Sequence, residues 1–202
     1  PTILATDPKL AFKFCRMAAE GGHAACQRDL GTLYSRVEGV ERDDRKAAAW
    51  YLRAATEGGD ADAQYYTAVH YKNGTGHDAP NLKEAIRRYQ AAVAQGHPDA
   101  QLRLGNLYNK SDGVPNHPGL ALKLWRKCAQ HHEAGDHAPR EGFLNFVAYA
   151  HHLIGECYLL GENGVEKDMA MAMQWWTKSA EQGYGYGCAG LWLRRAPSER
   201  ST

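Results

Sequence analysis

The feature that most constrains this chain is that it repeats itself. Aligned on Tyr34, Tyr71, Tyr108 and Tyr158, the first two steps are 37 residues and the third is 50. Three residues before each tyrosine stands Gly31, Ala68, Gly105 or Gly155, and one further back Leu30, Thr67, Leu104 or Ile154. Downstream, glycines recur at Gly39, Gly76, Gly113 and Gly164. A second half repeats as well. Ala47, Ala85, Ala121 and Ala172 are followed by aromatics (Trp50-Tyr51, Tyr89, Trp125, Trp175-Trp176) and then by small residues (Ala54-Ala55, Ala92-Val93, Cys128-Ala129, Ser179-Ala180). The N-terminal stretch matches this second half alone, through Ala11, Phe14-Cys15, Ala18-Ala19 and Gly22. A unit of this size cannot bury its own apolar face, so neighbours must stack to make a continuous core.

The spacing identifies the elements. In each second half the marked positions fall at i, i+3, i+4, i+7 and i+8, one face of an α-helix. Four residues before each alanine stands Asp7, Asp43, Asn81 or Asp168, with His117 the exception. Asp and Asn there accept hydrogen bonds from the unpaired amides of a first helical turn. Pro8 and Pro118 suit a first helical position, where a missing N–H costs nothing. Gly22, Gly58, Gly96 and Gly183 close the same helices. The first halves, about 24–36, 61–73, 98–110 and 146–160, carry the Leu/Gly/Tyr pattern, in which a small residue admits the partner helix and the tyrosine fills the gap beside it. No strand pattern competes.

The expectation is therefore all-α: a right-handed α/α superhelical solenoid of about four helix–turn–helix repeats plus a flanking half-repeat at each end. Its limits are a half-repeat at 7–22, repeats at about 23–58, 59–96, 97–134 and 146–183, and a half-repeat at 184–193, the whole running over 1–193. The longer third step places an insertion at 131–145, and 194–202 is a polar tail. The turn at 77–81 and the turn before Gly164 each carry one extra residue. A start in mid-repeat is expected of an adapted cap or, the favoured alternative, of an excerpt of a longer array.

At this point the residues resemble a known family. Leu30-Gly31-Thr-Leu-Tyr34, Gly39-Val40, Asp43, Lys46-Ala47, Trp50-Tyr51 and Ala54-Ala55-Thr-Glu-Gly58 together resemble a whole Sel-1-like repeat, a relative of the tetratricopeptide repeats. So do Ile154-Gly155, Tyr158, Gly164-Val165-Glu-Lys-Asp168 and Trp175-Trp176-Thr-Lys-Ser-Ala-Glu-Gln-Gly183, and Gly59-Asp-Ala-Asp-Ala-Gln64 resembles the family's start of a first helix. The resemblance covers about residues 7–193. It implies a scaffold or adaptor that recruits partner proteins and aids complex assembly, and it implies no reaction. A fold alone does not name a partner.

Composition and motifs exclude other classes. Net charge is +1, with 24 Lys+Arg against 23 Asp+Glu, so the basic excess of a nucleic-acid binder is missing. No apolar run approaches the roughly 20 residues of a membrane span. Cys15, Cys26, Cys128, Cys157 and Cys188 are odd in number and show no Cys-x-x-Cys pair. That favours buried thiols in a reducing intracellular compartment over a disulfide framework or zinc site. Gly185-Tyr-Gly187-Cys-Ala-Gly190 spells G-x-G-x-x-G but follows a helix, whereas a dinucleotide loop follows a strand. His132-Glu133-Ala-Gly-Asp-His137 separates its histidines by five, whereas a zinc hydrolase needs i and i+4. No serine heads a Ser-x-x-Lys. Asn73-Gly-Thr75 and Asn109-Lys-Ser111 are glycosylation sequons, relevant only to a lumenal protein. The Trp and Tyr stripe is read as core. No catalytic, cofactor-binding or metal-ligating residue is assigned, and no cofactor is expected.

The expected activity is protein or peptide binding in a groove lined by the first helices. By analogy with tetratricopeptide packing, the groove positions lie two before Leu30 and two, five and six after it. Carried across units, these give Arg28, Thr32, Ser35 and Arg36; Tyr65, Val69, Lys72 and Asn73; Leu102, Asn106, Asn109 and Lys110; and His152, Glu156, Leu159 and Leu160. Their basic, amide and aromatic character suits an extended peptide carrying acidic groups. The alternative is a structural subunit of a large complex, contacting neighbours through its ends, convex face and 131–145 insertion. An enzyme in the histidine-rich 131–152 region is a third reading, one that predicts bound metal.

Overall fold

Repetition in sequence becomes repetition of helix pairs. The computed structural model describes residues 8–36, 41–110, 113–133 and 146–184, and within them every side chain except those of residues 8, 9, 11, 110 and 131–133. Among these residues there are nine α-helices and no strand: α1 Pro8–Glu20, α2 Ala24–Ser35, α3 Asp44–Glu57, α4 Ala61–Asn73, α5 Leu82–Ala94, α6 Pro98–Lys110, α7 Pro118–Glu133, α8 Phe146–Leu160 and α9 Met169–Glu181. The even-numbered helices are the first, or A, helices of the repeat, and the odd-numbered ones are the B helices. Residues 1–7, 37–40, 111–112, 134–145 and 185–202 lie outside the described residues, with the readings placed on them.

Side chains at the helix starts explain where the helices begin. Asp43, Asn81 and Asp168 cap α3, α5 and α9 by accepting the backbone N–H of Lys46, Glu84 and Met171 at 2.9, 3.1 and 3.0 Å. The A helices are capped too, a feature the sequence pattern did not bring out. Asp60 accepts from Ala63 N at 2.7 Å, and the Nδ1 atoms of His23 and His97 accept from Cys26 N and Ala100 N. Each Asp or Asn cap is worth about 1 kcal/mol. At the helix ends, one expectation shifts by a residue. Gly58 caps α3 in the right-handed region, and the left-handed turn is made by Gly59, at φ 63°. Space explains the pair, because a Cβ on Gly58 would collide with Ala24 at the start of α2.

One main-chain bond recurs in all four helix pairs. The backbone N–H of Asp43, Asn81, His117 and Asp168 donates to the carbonyl of Tyr34, Tyr71, Tyr108 and Tyr158, at 2.9, 2.7, 2.8 and 2.8 Å. It ties the start of each B helix to the last turn of the A helix before it. His117 has no capping carboxylate or amide to offer, yet its backbone makes the same bond. The turns with an extra residue also close it.

The chain divides into two compact units, residues 1–100 and 101–202, the division falling within α6. In the first unit each helix from α1 to α4 packs on the next. Leu30, Ala47, Tyr51, Ala54, Ala63, Ala68, Ala85, Tyr89 and Ala92 are fully or almost fully buried there. In the second unit α7 packs on α8 and α8 on α9, around Leu102, Trp125, Cys128, Ala150, Ile154 and Cys157. The repeated glycine makes these pairs close. A Cβ on Gly31 would stand 2.8 Å from the Tyr51 ring, and one on Gly105 or Gly155 would stand 2.6 Å from the indole of Trp125 or Trp176. The gap beside the glycine is thus filled by the B-helix aromatic, not by the tyrosine of the same helix. Tyr34, Tyr71, Tyr108 and Tyr158 are only half-buried.

The filling aromatic is also a donor. Tyr51 OH donates to Thr32 Oγ1 at 3.0 Å, Trp125 Nε1 to Asn106 Oδ1 at 3.0 Å, and Trp176 Nε1 to the carbonyl of His152 at 3.3 Å. This is the expected behaviour of buried amphipathic rings, whose polar atom needs a partner. The stripe is therefore core at Tyr51, Tyr89, Trp125 and Trp176. Trp50 and Trp175 sit at its rim, under Arg53 and Lys178.

Candidate functional site

The candidate positions of each A helix stand three residues before and one, four and five after the small residue of its aromatic contact. In the first unit, Arg28 on α2 donates to Asp60 Oδ2 at 3.0 Å and Asp62 Oδ2 at 3.3 Å, and to its neighbour Asp29 at 3.2 Å. Asp60 is the cap of α4, so Arg28 joins the face of one A helix to the first turn of the next. Asp62 Oδ1 meets His97 Nε2 at 3.1 Å, and the His97 ring stacks on Tyr65 at 4.9 Å with 17° between planes. Because His97 Nδ1 accepts the Ala100 N–H, its Nε2 carries the proton that faces Asp62. Arg28, Asp60, Asp62, His97 and Tyr65 thus form one network along this edge.

The other first-unit candidates separate by depth. Thr32 accepts from Tyr51 OH and donates to the Arg28 carbonyl, so it faces inward. Ser35 donates to the Thr32 carbonyl. Val69 is half-buried, whereas Arg36, Lys72 and Asn73 are exposed at the C-terminal ends of α2 and α4. Neither Arg36 nor Lys72 forms an ion pair among the described residues. Behind them His70 is buried against Tyr51 and bonds the Thr75 carbonyl through Nδ1 at 3.0 Å. Burial lowers its pKa below the usual 6.5. Gly76 follows at φ 74°, where the chain lies so close to the Asp44 carbonyl that no Cβ fits.

In the second unit Leu102 is fully buried in the core with Trp125, which removes it from any surface. Asn106 is spent on the Trp125 indole, Asn109 is half-buried, and the Lys110 side chain lies outside the described residues. His152 stands where Arg28 and Tyr65 stand in their repeats. Its ring lies 5.5 Å from Tyr184 and 6.4 Å from both Tyr149 and Trp176, and its Nε2 faces Glu156 at 3.4 Å. Leu159 is half-buried and Leu160 exposed. His151 is buried beside Trp175, at 5.5 Å between rings. In three of the four A helices this register position reaches the stretch that follows the next B helix: Asp60 from Arg28, His97 from Tyr65, Tyr184 from His152.

Buried polar residues form a second recurrence that the motif search passed over. Gln27, Gln64 and Gln101 are all buried, and they stand 37 residues apart. Gln27 Nε2 donates to the Ala19 carbonyl and Gln64 Nε2 to the Ala55 carbonyl, each at the end of the preceding B helix. Gln64 Oε1 accepts from the buried Arg88 at 3.3 Å. In the fourth pair the position is His151, and Ser179 on α9 donates to the Ala148 carbonyl at 2.7 Å. The signal was available as the same 37-residue step, in residues usually read as surface.

The thiols are quiet. Cys15 and Cys26 are half-buried and Cys128 and Cys157 buried, and no disulfide joins them. Burial, then the neighbouring Cys26, pushes the Cys15 thiol up to about 11, and burial also raises Cys157. Such thiols carry little thiolate, the reactive form, near neutral pH. Among the described residues no group of three or more His, Cys, Asp or Glu side chains is gathered as a metal site requires. None of the described helices is long and apolar enough to cross a membrane.

Comparison with known proteins decides the family. The model of the Sel1 repeat matches residues 3–23, 24–59, 61–97, 98–131 and 148–184. The chain belongs to the Sel1 repeat family. Its structure is similar to that of a protective antigen of uropathogenic Escherichia coli strains that displays an SLR fold, with 30% identity and a TM-score of 0.76 over 89% of this chain and 35% of that one. It is similar also to a Sel1 repeat protein from Oxalobacter formigenes, with 29% identity and a TM-score of 0.72 over 84% of this chain and 62% of that one. An immunity protein from Pseudomonas aeruginosa, at 23% identity and a TM-score of 0.51 over 87% of this chain and 59% of that one, shares the fold. The chain spans between about a third and two thirds of the length of these proteins. No curated protein sequence matches it. The chain is thus an all-α Sel1 repeat solenoid, and proteins of this family are in general non-catalytic scaffolds for protein interactions.

Proposed function

We propose that this Sel1 repeat chain is an adaptor that holds a partner protein against the outward side of its A helices, by binding alone. The observation that carries this reading is the contrast along that side in the first unit. Thr32, Tyr65 and Arg28 are engaged within the fold, whereas Arg36 and Lys72, near the ends of successive A helices, are exposed and unpaired among the described residues. Half-buried Val69 lies one turn before Lys72. Two exposed cations, one of them a turn from an apolar side chain, suit a segment that offers carboxylates and a small apolar anchor. In the second unit the matching positions carry Asn109, Leu159 and Glu156, so the same side there suits a less basic contact.

The test begins with affinity purification of the intact protein from its native source and identification of what co-elutes. Those proteins are then titrated against the wild type and the Arg36→Glu, Lys72→Glu double variant. A loss of tenfold or more in affinity, with unchanged melting, supports the reading. Unchanged affinity for every co-eluting protein rejects this face.

A further inference from the structure

A different surface, on a B helix, carries the strongest unassigned charge. On α7 the side chains of Lys123, Arg126 and Lys127 are exposed and line an open depression of about 440 Å³ with Gly119, Leu122 and Gln130. No carboxylate among the described residues pairs with any of the three cations. Tyr158 on α8 instead accepts a hydrogen bond from Arg126 Nη2 at 2.7 Å, which fixes the guanidinium without neutralising it. Gly119 leaves one end of the depression open, and buried Leu122 gives it an apolar floor.

The repeat supplies an internal control. In register with Lys123, Arg126 and Lys127, α3 carries Ala49, Leu52 and Arg53; α5 carries Arg87, Gln90 and Ala91; α9 carries Gln174, Thr177 and Lys178. Each of those helices has a single cation in the set, and each cation is engaged: Arg53 with Glu57 at 2.9 Å, Arg87 with Glu84 at 2.9 Å, Lys178 over the Trp175 ring at 5.0 Å. Among the described residues only α7 gathers three at these positions with no acid paired to them; α1, with Lys13, Arg16 and Met17, gathers two. Packing does not require this, since the other B helices fold against the same kind of partner without it.

We propose that the exposed face of α7 is a docking surface for an extended acidic segment of a partner protein. Spacing fits that occupant. Steps of three and four residues along a helix advance about 4.5–6 Å, close to the roughly 6.6–6.8 Å between alternate side chains of an extended chain. Guanidinium and ammonium groups bind carboxylates through charge-assisted hydrogen bonds. Three cations are too few for the other polyanions. A polybasic membrane site gathers about four to eight, and nucleic-acid binding draws on a larger basic stripe that a chain of net charge +1 does not have. The surface is distinct from the A-helix face, so the two proposals stand or fall separately.

The experiment is a fluorescence-anisotropy titration of the intact chain with a fluorescein-labelled twelve-residue peptide alternating glutamate and alanine, at low and physiological salt. Binding is expected, weakened at least tenfold in the Lys123→Glu, Arg126→Glu, Lys127→Glu variant. It should be unchanged in Arg45→Glu, Arg53→Glu, Arg87→Glu, which alters net charge equally. If the reversal impairs folding, Lys123→Gln, Arg126→Gln, Lys127→Gln is used, with a loss of at least threefold expected. No binding overturns the proposal, and so does equal loss in the first-unit control. Tighter binding of a twelve-residue oligothymidylate, or of phosphatidylserine-containing vesicles, through the same three cations also overturns it.

Discussion

The two units solve the same joining problem with different chemistry. In the first, the face of α2 is tied to the start of α4 by charge: Arg28 to Asp60 and Asp62, and Asp62 onward to His97. In the second, the equivalent place is occupied by rings, His152 among Tyr149, Trp176 and Tyr184. What recurs lies deeper: in three of the four pairs the glycine under a B-helix aromatic and that aromatic's hydrogen bond back to the A helix, and in all four the main-chain bond at the turn. Within this chain the glycine–aromatic contact recurs in both units, while the lateral pair between repeats differs. That also explains why a scaffold can vary its surface without losing its stack.

The comparison breaks if the shared contact is not equally costly in both units. Trp125→Ala and Tyr51→Ala should each destabilise their own unit by about 3–5 kcal/mol, read by urea denaturation followed by circular dichroism. A much smaller loss for one would show that the units are not built alike. Next in size, Gly155→Ala and Gly31→Ala force a Cβ against a ring, at a cost of about 1–3 kcal/mol. A neutral result would mean the ring moves aside freely.

Smaller effects sharpen the difference. Arg28→Ala should cost about 1 kcal/mol, the upper range for an ion pair that solvent still reaches, and the cost should shrink in 1 M NaCl. His152→Ala should cost about as much through lost ring contacts and keep that cost in salt. Equal salt dependence would dissolve the contrast. Smallest is the pH effect of His70. Burial lowers its pKa in the folded chain, so the unfolded chain takes up a proton first as pH falls below about 6.5. First-unit stability should then decline from there until the folded chain protonates as well. Melting at pH 7.5 and 5.5 checks this, and His70→Gln should flatten the difference.

Much of this was legible because the period forces it. The A helices lie where the Leu/Gly/Tyr pattern puts them, and Asp43, Asn81 and Asp168 cap as their spacing demands. Two things were not legible. Which aromatic fills the space beside Gly31 or Gly155 depends on the approach of a second helix, which no single-helix pattern encodes. The roles of Gln27, Arg28 and Gln64 depend on partners 8 to 34 residues away, and their polarity suggested solvent. Leu102 shows the converse. A groove register transferred from a related repeat pointed it outward, while its own side chain sought the core.

The bond from each B-helix start to the tyrosine carbonyl has a practical consequence. Because the same main-chain bond closes each helical hairpin across turns of unequal length and sequence, turn residues that pack on nothing can vary, whereas Gly76, pressed against the Asp44 carbonyl, cannot. Those turns are natural places to graft an epitope, a tag or a sensor loop, provided the tyrosine carbonyl and the capping amide still meet.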